Sequence, residues 1–314
     1  MKYVKRVVHI AVFAAMIVLM VSLCTVALKD RYTGQWIMDG FLDRPKNSLD
    51  VIFFGSSNMY RTVRPAQLLE QTGIEGWNCG ASSQFASATE LYVKVALQRQ
   101  TPRVAVIETL GLTQTTSIDQ LDETKLYWSL TPLPLSKEKL SFLWKAFDGD
   151  LEQVLPYALN LYQFHCRWET IDFSDEWQTA RTKKQEFLAS RGYRTSEEIF
   201  PINRSEIENP PNLDVQSLEA YRNMIAHCRA KGVEVVLFKS PVADWSEEYT
   251  RQMSEFAKEM GVPFIDYNDP ALRAQLDLND ETDFCDDVHV NVWGAQKVTA
   301  HLGKFLQENY FKTA

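Results

Sequence analysis

The chain has 314 residues, of which 45% are hydrophobic, so it is long enough and apolar enough to bury a large core. Its formal net charge is −8, with 41 acidic residues against 33 basic ones, and no run rich in Lys or Arg occurs. A nucleic-acid partner is therefore disfavoured, because binding a polyanion requires a basic surface.

The first element in chain order is an apolar segment, Val7–Leu28, that carries no charged side chain. A helix of this length covers the ~30 Å hydrocarbon layer of a bilayer. Basic residues precede it and the first acidic residue is Asp30, so the positive-inside rule places residues 1–6 in the cytoplasm and the rest outside. We predict a single-pass anchor in the cell membrane with an extracytoplasmic domain.

A cleaved signal peptide is the alternative interpretation of this segment. Such a peptide has a shorter apolar core and ends at a small-x-small site, which Thr25–Ala27 matches poorly. Cys24 follows the bulky Leu23, unlike the usual lipoprotein signal. We therefore favour the uncleaved anchor, followed by a linker at 29–46 and one domain at 47–314.

The next segments alternate between short apolar runs and amphipathic stretches. Strands are predicted at Asp50–Gly55, Gly76–Gly80 and Arg103–Leu110, with helices at Pro65–Gln71 and Ala86–Gln100. This alternation is typical of a parallel sheet with helices packed on its faces.

The alternation stops between Gly111 and about Asp214, which we predict to be a partly helical insertion over the edge of the sheet. Two helices are predicted in it, at Lys137–Phe147 and Leu151–Cys166, and tryptophans stand at positions 128, 144, 168 and 177. These aromatic residues either line a groove for a glycan or an acyl chain, or form a small core of their own. We favour the core, because buried aromatic residues most often pack against each other.

The alternation resumes after the insertion. Helices are predicted at Ser217–Lys231, Glu247–Met260 and Trp293–Asn309, and strands at Glu234–Lys239 and Pro263–Tyr267. The predicted fold class is a three-layer α/β/α domain with a mostly parallel sheet.

Five cysteines occur, Cys24 in the anchor and Cys79, Cys166, Cys228 and Cys285 after it. None of them has C-x-x-C spacing, so structural zinc is disfavoured. The four later cysteines form either two disulfides or small buried apolar positions, and both alternatives stay open. No cofactor and no metal are predicted.

Two short segments far apart in sequence carry the candidate chemistry. A Gly-Ser-Ser turn at 55–57 follows the first predicted strand, which places a serine hydroxyl at the carboxyl edge of the sheet, where parallel α/β proteins bind ligands. Near the C-terminus, Asp286 stands three residues before His289, in a loop that precedes the last helix. This spacing lets a carboxylate orient the imidazole, so the two segments supply a nucleophile, a base and an orienting acid.

Simpler interpretations of both segments remain. A Gly-Ser-Ser sequence is more often a turn than a nucleophile, and a histidine such as His289 is often a surface-loop residue. Asp286, Asp287 and His289 also suit a metal, but no further His or Cys cluster supports a metal site.

The order of the motifs resembles the SGNH (GDSL-like) hydrolase family over about residues 47–310. The resemblance is carried by Gly-x-Ser after the first strand, Asn78-Cys-Gly80 after the second, and Asp286-x-x-His289 before the last helix. It implies a flavodoxin-like sheet topology. It also implies that Ser57 is the nucleophile, that Asp286 and His289 complete the triad, and that the backbone N–H groups of Ser57 and Gly80 form the oxyanion hole.

The chain departs from the family at its third motif, a Gly-x-Asn after the third strand. Glu108–Leu112 stands there and contains no asparagine. Loss of one such donor costs ~10²–10³ in rate. The departure is the basis of an alternative prediction, a catalytically inactive scaffold that binds a glycan or a membrane-bound O-acyltransferase.

With its anchor, the chain resembles the membrane-anchored envelope members of the family, which include the D-alanyl transfer protein of teichoic acid synthesis and polysaccharide O-acetyltransferases. The resemblance implies O-acyl transfer to, or ester hydrolysis on, a cell-envelope polysaccharide or teichoic acid through an acyl-enzyme on Ser57. It also implies a membrane-bound O-acyltransferase partner. The insertion is the candidate element for an acceptor groove that favours transfer over hydrolysis.

Overall fold

The structure is a computed structural model that describes residues 2–114 and 120–312. The strands of the described residues, in chain order, are β1 (Val51–Gly55), β2 (Gly76–Gly80), β3 (Val104–Glu108), β4 (Ser205–Glu206), β5 (Glu234–Lys239), β6 (Asp244–Trp245), β7 (Phe264–Asp266), β8 (Phe284–Asp286) and β9 (His289–Val290). Five of them form one parallel sheet in the order β2-β1-β3-β5-β7. The predicted α/β class with a mostly parallel sheet is confirmed.

Side chains of the sheet alternate between two separate hydrophobic clusters. In β1, Ile52 and Phe54 belong to one cluster, while Val51 and Phe53 belong to the other. All five residues of β1 are buried, because helices cover both faces of the sheet. The chain passes from β2 on one side of β1 to β3 on the other, so the carboxyl end of β1 lies where the strand order reverses.

Helices account for most of the remaining chain. The α-helices are α1 (Lys2–Leu28), α2 (Thr33–Asp43), α3 (Ser57–Thr62), α4 (Pro65–Thr72), α5 (Ala86–Ala96), α6 (Glu123–Leu130), α7 (Lys137–Ala146), α8 (Leu151–Ala158), α9 (Asn160–Phe164), α10 (Phe173–Ser190), α11 (Val215–Ala230), α12 (Glu247–Met260), α13 (Pro270–Gln275) and α14 (Val292–Leu306). Short 3₁₀ turns occur at Leu110–Thr113 and His165–Glu169, and a π-turn at Gln307–Phe311. The termini follow local rules: Pro65 opens α4, and Gly73 ends it with φ 75°.

The segment at 29–46, predicted as a linker, contains the helix α2. Ile37 and Phe41 on this helix are 0% exposed, and α2 packs on β2 and α10. The prediction of a linker was wrong because the segment Gln35–Phe41 has enough apolar side chains to bury one helix face.

The insertion differs from its prediction in two elements. The stretch Leu151–Cys166 is not one helix, since α8 and α9 are separated at Leu159, which has extended backbone angles, and Pro156 removes a backbone donor from this stretch. The long helix α10 was not predicted, because only Phe187 on it is buried and it lacks an apolar stripe. Residues 115–119 of the predicted insertion lie outside the described residues.

The tryptophans of the insertion do not form a core. They are 39 to 65% exposed at positions 128, 144, 168 and 177. Leucines anchor the segment instead: Leu126, Leu130, Leu133 and Leu143 are buried in the cluster that covers one face of the sheet. The inner side of the insertion is therefore part of the domain core and includes the buried rings of Phe147, Tyr157 and Phe164, whereas the four tryptophans are exposed.

The N-terminal helix α1 is long and apolar enough over Tyr3–Leu28 to cross a membrane, with a mean hydropathy of 2.7 in its most apolar window. None of that window is buried against the rest of the chain. A single-pass anchor is consistent with these properties, and its orientation stays a prediction from the basic residues at the N-terminus.

Candidate active site

The Gly-Ser-Ser turn places Ser57 at the carboxyl edge of the sheet, in the first turn of α3. Ser56 caps this helix, and its hydroxyl accepts a hydrogen bond from the Asn58 backbone N–H at 3.3 Å. Gly55 has φ 154°, and a Cβ there would lie 2.5 Å from the Cβ of Glu108. Only glycine fits this turn, because any side chain would collide with β3.

Gly80 lies at the end of β2, directly opposite Gly55 in the parallel register. A Cβ on Gly80 would lie 2.1 Å from the carbonyl oxygen of Gly55, so two glycines are needed where β1 and β2 end. Asn78, the first residue of the second motif, is fully buried, and its Nδ2 donates to the Val63 carbonyl at 2.9 Å. Asn78 therefore holds the segment after α3 in place.

A hairpin presents the acid and the base. Asp286 at the end of β8 pairs with His289 at the start of β9. The Nδ1 of His289 donates to the Asp286 carboxylate, 2.9 Å from each oxygen. Asn291 caps α14 and also donates its Nδ2 to the Phe284 carbonyl at 3.1 Å, which fixes the hairpin against the helix.

The structure brings both motifs together. The Nε2 of His289 lies 2.8 Å from Ser57 Oγ, although the two residues stand 232 positions apart in the chain. With Nδ1 protonated towards Asp286, Nε2 accepts the Ser57 hydroxyl hydrogen. The result is a continuous hydrogen-bonded chain from hydroxyl to imidazole to carboxylate, the geometry that activates a serine.

The carboxylate in this chain stays ionised. Partial burial acts to raise the pKa of Asp286, but the hydrogen bond and charge of His289, the Val288 N–H and the positive charge of Arg61 together lower it below 3.8. Arg61 lies one turn after Ser57 on α3, and its Nη1 lies 3.5 Å from the sulfur of Cys285. An ionised Asp286 is suited to stabilise the imidazolium that forms when His289 takes a proton.

A cleft of about 480 Å³ opens beside Ser57 and His289. Trp245 and Tyr249 supply aromatic walls, while Gly80 is not part of the lining. The insertion contributes a further part of the wall, namely Thr113, Gln114, Lys125 and Ile207. A larger cleft of about 880 Å³ lies between α5, α7 and α11, but neither Ser57 nor His289 reaches it.

A buried ion pair, which sequence reasoning missed, lies at the ends of β3 and β5, next to the segment Glu108–Leu112 that contains no asparagine. Glu108 ends β3 and Lys239 ends β5, with Lys239 Nζ 3.6 Å from a Glu108 oxygen, and both side chains are at most 1% exposed. Lys239 Nζ makes no hydrogen bond to any described residue and lies 4.8 Å from the ring centre of Trp245. In each strand a charged residue directly follows four consecutive apolar residues, and this was the available signal.

Burial opposes both charges of this pair. It raises the pKa of Glu108, against the attraction of Lys239, and it lowers the pKa of Lys239. The pair lies beneath the nucleophile turn, since Glu108 contacts Gly55, and Lys239 lines the cleft. The ion pair therefore supports the Gly-Ser-Ser turn and forms part of the cleft lining.

The open alternatives for the cysteines are resolved in favour of free thiols. Cys79, Cys228 and Cys285 are buried, Cys166 is exposed, and none forms a disulfide. Within residues 2–114 and 120–312, no group of three or more His, Cys, Asp or Glu side chains is arranged to hold a metal. Asp286 and His289 bind each other, and Asp287 faces the cleft.

The fold and site define the chain as an α/β protein with a Ser–His–Asp hydrogen-bonded chain at the carboxyl edge of its sheet. A scan against protein-family models finds no match, and a search of the curated proteins finds none either. The site geometry is therefore the basis for the function proposed below.

Proposed function

We propose that the protein is a membrane-anchored, extracytoplasmic, serine-dependent acyl-ester enzyme, similar to SGNH hydrolases. The observation that carries the proposal is the hydrogen-bonded chain Ser57–His289–Asp286. A histidine with one nitrogen on a carboxylate and the other on a serine hydroxyl is arranged as a general base. The cleft beside it has the volume of a small-molecule site.

The proposed reaction runs in two steps. His289 Nε2 takes the Ser57 proton as Oγ bonds to the ester carbonyl carbon, and the carbonyl oxygen becomes an oxyanion. The backbone N–H groups of Ser57 and Gly80 are the proposed oxyanion donors. When the carbon–oxygen ester bond breaks, His289 returns the proton to the leaving alcohol, and an acyl-enzyme on Ser57 remains.

The second step repeats this chemistry with an incoming hydroxyl group. His289 takes its proton, its oxygen bonds to the acyl carbon, and Ser57 leaves with the proton restored. Water gives hydrolysis and a polysaccharide hydroxyl gives transfer. Asp286 holds the imidazole in the tautomer that each proton transfer requires.

Two features of the molecule support the similarity to SGNH hydrolases and a substrate in the cell envelope. The order β2-β1-β3-β5-β7 corresponds to the doubly wound order 2-1-3-4-5 of flavodoxin-like sheets, in which sites lie at the reversal of strand order. An anchored domain would meet envelope substrates, so we propose a cell-envelope polysaccharide or teichoic acid as acceptor and a membrane-bound O-acyltransferase as partner. The acceptor and partner rest on the resemblance in sequence.

A fluorophosphonate probe tests the nucleophile on the full chain in detergent. We expect the wild type to be labelled, Ser57→Ala to lose all labelling, and the neighbouring Ser56→Ala to keep it. His289→Ala should slow labelling by roughly 10³-fold or more, because the base is lost. Labelling that survives Ser57→Ala would show that another residue is the nucleophile, and a folded wild type that is never labelled would contradict the proposal and favour the inactive scaffold.

A further inference from the structure

Four exposed aromatic side chains surround the point where α1 meets the domain. Tyr162 on α9, Trp168 in the following 3₁₀ turn, and Phe173 and Trp177 in the first turns of α10 are 46 to 65% exposed. We call these four residues the aromatic rim. They belong to the insertion and lie outside both clefts described above.

The rim is placed at the end of α1 by direct contacts. The last two turns of α1 pack on α9, so that Val21, Thr25 and Leu28 are partly covered, whereas the preceding turns are exposed. Arg167 Nη1 donates to the Leu28 carbonyl at 2.9 Å, where the apolar helix ends. Since Val21 and Leu28 are separated by ~10 Å along the helix axis, α9 lies beside the final part of the apolar segment.

Charged contacts fix this arrangement. Arg167 and Arg31 both pair with Glu176, at 3.3 and 3.4 Å, and the Arg31 guanidinium lies 5.9 Å from the ring centre of Trp177. The hydroxyl of Tyr127 donates to Asp30 at 2.8 Å. The domain is therefore held against the end of α1 rather than tethered by a flexible linker.

We propose that the aromatic rim lies in the headgroup region of the bilayer that α1 crosses, so that the insertion rests on the membrane surface. Tyr and Trp side chains are favoured at the membrane–water boundary because they combine a large apolar ring with a polar group. The rim is continuous with a helix that is apolar and that, before its last two turns, is exposed on all sides. The same continuity makes lipid the occupant that the structure favours over a protein partner.

This inference depends on α1 spanning a membrane, and it is independent of the proposed catalysis. The inference assigns a function to aromatic side chains of the insertion, which the sequence analysis predicted to form a core or to line a groove. It also implies that the cleft beside Ser57 is held at a fixed height and orientation above the bilayer.

Tryptophan fluorescence gives a direct test, because the chain has eight tryptophans and none lies in α1. The full chain is reconstituted into phosphatidylcholine–phosphatidylglycerol vesicles with or without bromine on the acyl chains near the headgroup. Bromine quenches only tryptophans that approach the lipid. We expect clear quenching of the wild type and loss of most of it in the double variant Trp168→Ser and Trp177→Ser.

Trp144→Ser is the matched control, because Trp144 is 56% exposed but lies on α7, which packs on α5 and α8. We expect it to leave the quenching unchanged. A second variant, Trp168→Phe with Trp177→Phe, keeps apolar rings in the rim and removes only the fluorophores, so a loss of quenching there cannot be due to unfolding. The proposal is overturned if the wild type is not quenched in pure lipid vesicles, which would favour a protein partner, or if quenching is lost with Trp144 instead.

Discussion

The carboxyl edge of the sheet and the outer surface of the insertion hold their side chains in opposite ways. At the sheet edge, Asn78, Glu108 and Lys239 are fully or almost fully buried, and each contacts a defined partner. On the insertion, Trp144 and Trp168 are more than half exposed. A buried polar group keeps its neighbours in a fixed arrangement, because losing its partner costs free energy of folding. An exposed aromatic ring is instead available for contact with a lipid or another molecule.

The insertion nevertheless has an inner side that belongs to the core. Leu130 and Leu143 are 0% exposed within the cluster that covers the sheet, so removing the whole segment would expose that cluster to water. Deleting the insertion would therefore test stability rather than function. Single substitutions at the sheet edge and on the insertion distinguish the two regions without removing this part of the core.

The largest effect is expected at the sheet edge, from Asp286→Asn. The amide keeps the shape of the carboxylate but favours the wrong imidazole tautomer, so the rate of acyl-enzyme formation should fall by roughly 10³–10⁴ with little change in structure. Burst kinetics with p-nitrophenyl acetate measure this. Asp287→Asn is the matched control, since Asp287 lines the cleft without contacting the imidazole. Similar rates for both variants would contradict the assigned role of Asp286.

The same variant has a defined pH dependence of stability. The pKa of Asp286 is lowered in the folded chain, so its carboxylate stabilises the fold above its unfolded pKa, near 3.8, and that contribution is lost as the pH falls through the lower folded value. The difference in free energy of unfolding between wild type and Asp286→Asn should therefore shrink below about pH 4. A difference in free energy of unfolding that grows as the pH falls would contradict a lowered pKa of Asp286.

The second effect concerns the buried ion pair. Lys239→Met leaves Glu108 without its cation, and we expect a loss of about 3–5 kcal/mol in the free energy of unfolding at neutral pH. Adding Glu108→Gln should recover much of it, because neither buried charge remains. Urea unfolding of the single and double variants measures both. The loss should be smaller in acid, since the pKa of Glu108 is raised above 4.5 by burial and protonation removes its charge.

A smaller effect is expected from Gly80→Ala. The new methyl group would meet the Gly55 carbonyl oxygen, so β1 and β2 must separate, at a cost of about 1–3 kcal/mol, and probe labelling of Ser57 should slow as well. Gly232→Ala is the control, because an alanine at φ 72° is also strained but the added carbon has nothing within 4 Å, so stability should fall while the labelling of Ser57 is unchanged. A loss of stability without a loss of labelling would show that Gly80 is structural and supplies no oxyanion donor.

Local sequence signals were sufficient for most of the regular elements. β1 and α12 are apolar runs or amphipathic stretches bounded by turn residues, and they occur where those patterns predict them. These patterns did not predict two helices, α10 and α2. α10 is exposed along most of its length, and α2 is short and follows the apolar segment directly.

The three residues of the hydrogen-bonded chain were predictable because each belongs to a short motif with a required glycine or spacing. Lys239 was not, because its role arises from the pairing of β3 with β5, which brings it to Glu108 across the sheet. The order of strands is a tertiary property, and no local pattern in Glu234–Lys239 indicates which strand lies beside it. The position of the aromatic rim depends in the same way on the packing of α9 on α1.

The smallest predicted effect lies where the insertion lines the cleft, and it sharpens the comparison between the two regions. If the insertion positions an acceptor, Lys125→Ala should lower acyl transfer to cell-wall polysaccharide fragments about five-fold, the value of one hydrogen bond, and leave hydrolysis of p-nitrophenyl acetate unchanged. Lys183→Ala is a close match, since both lysines are about half exposed and face an acidic residue three positions away, but Lys183 lies on α10 outside the cleft. Equal effects of the two changes, or equal loss of transfer and hydrolysis, would show that the insertion plays no part in choosing the acceptor. A selective loss in Lys125→Ala would assign opposite functions to the two sides of one segment, with the cleft wall facing the acceptor and the aromatic rim facing the membrane.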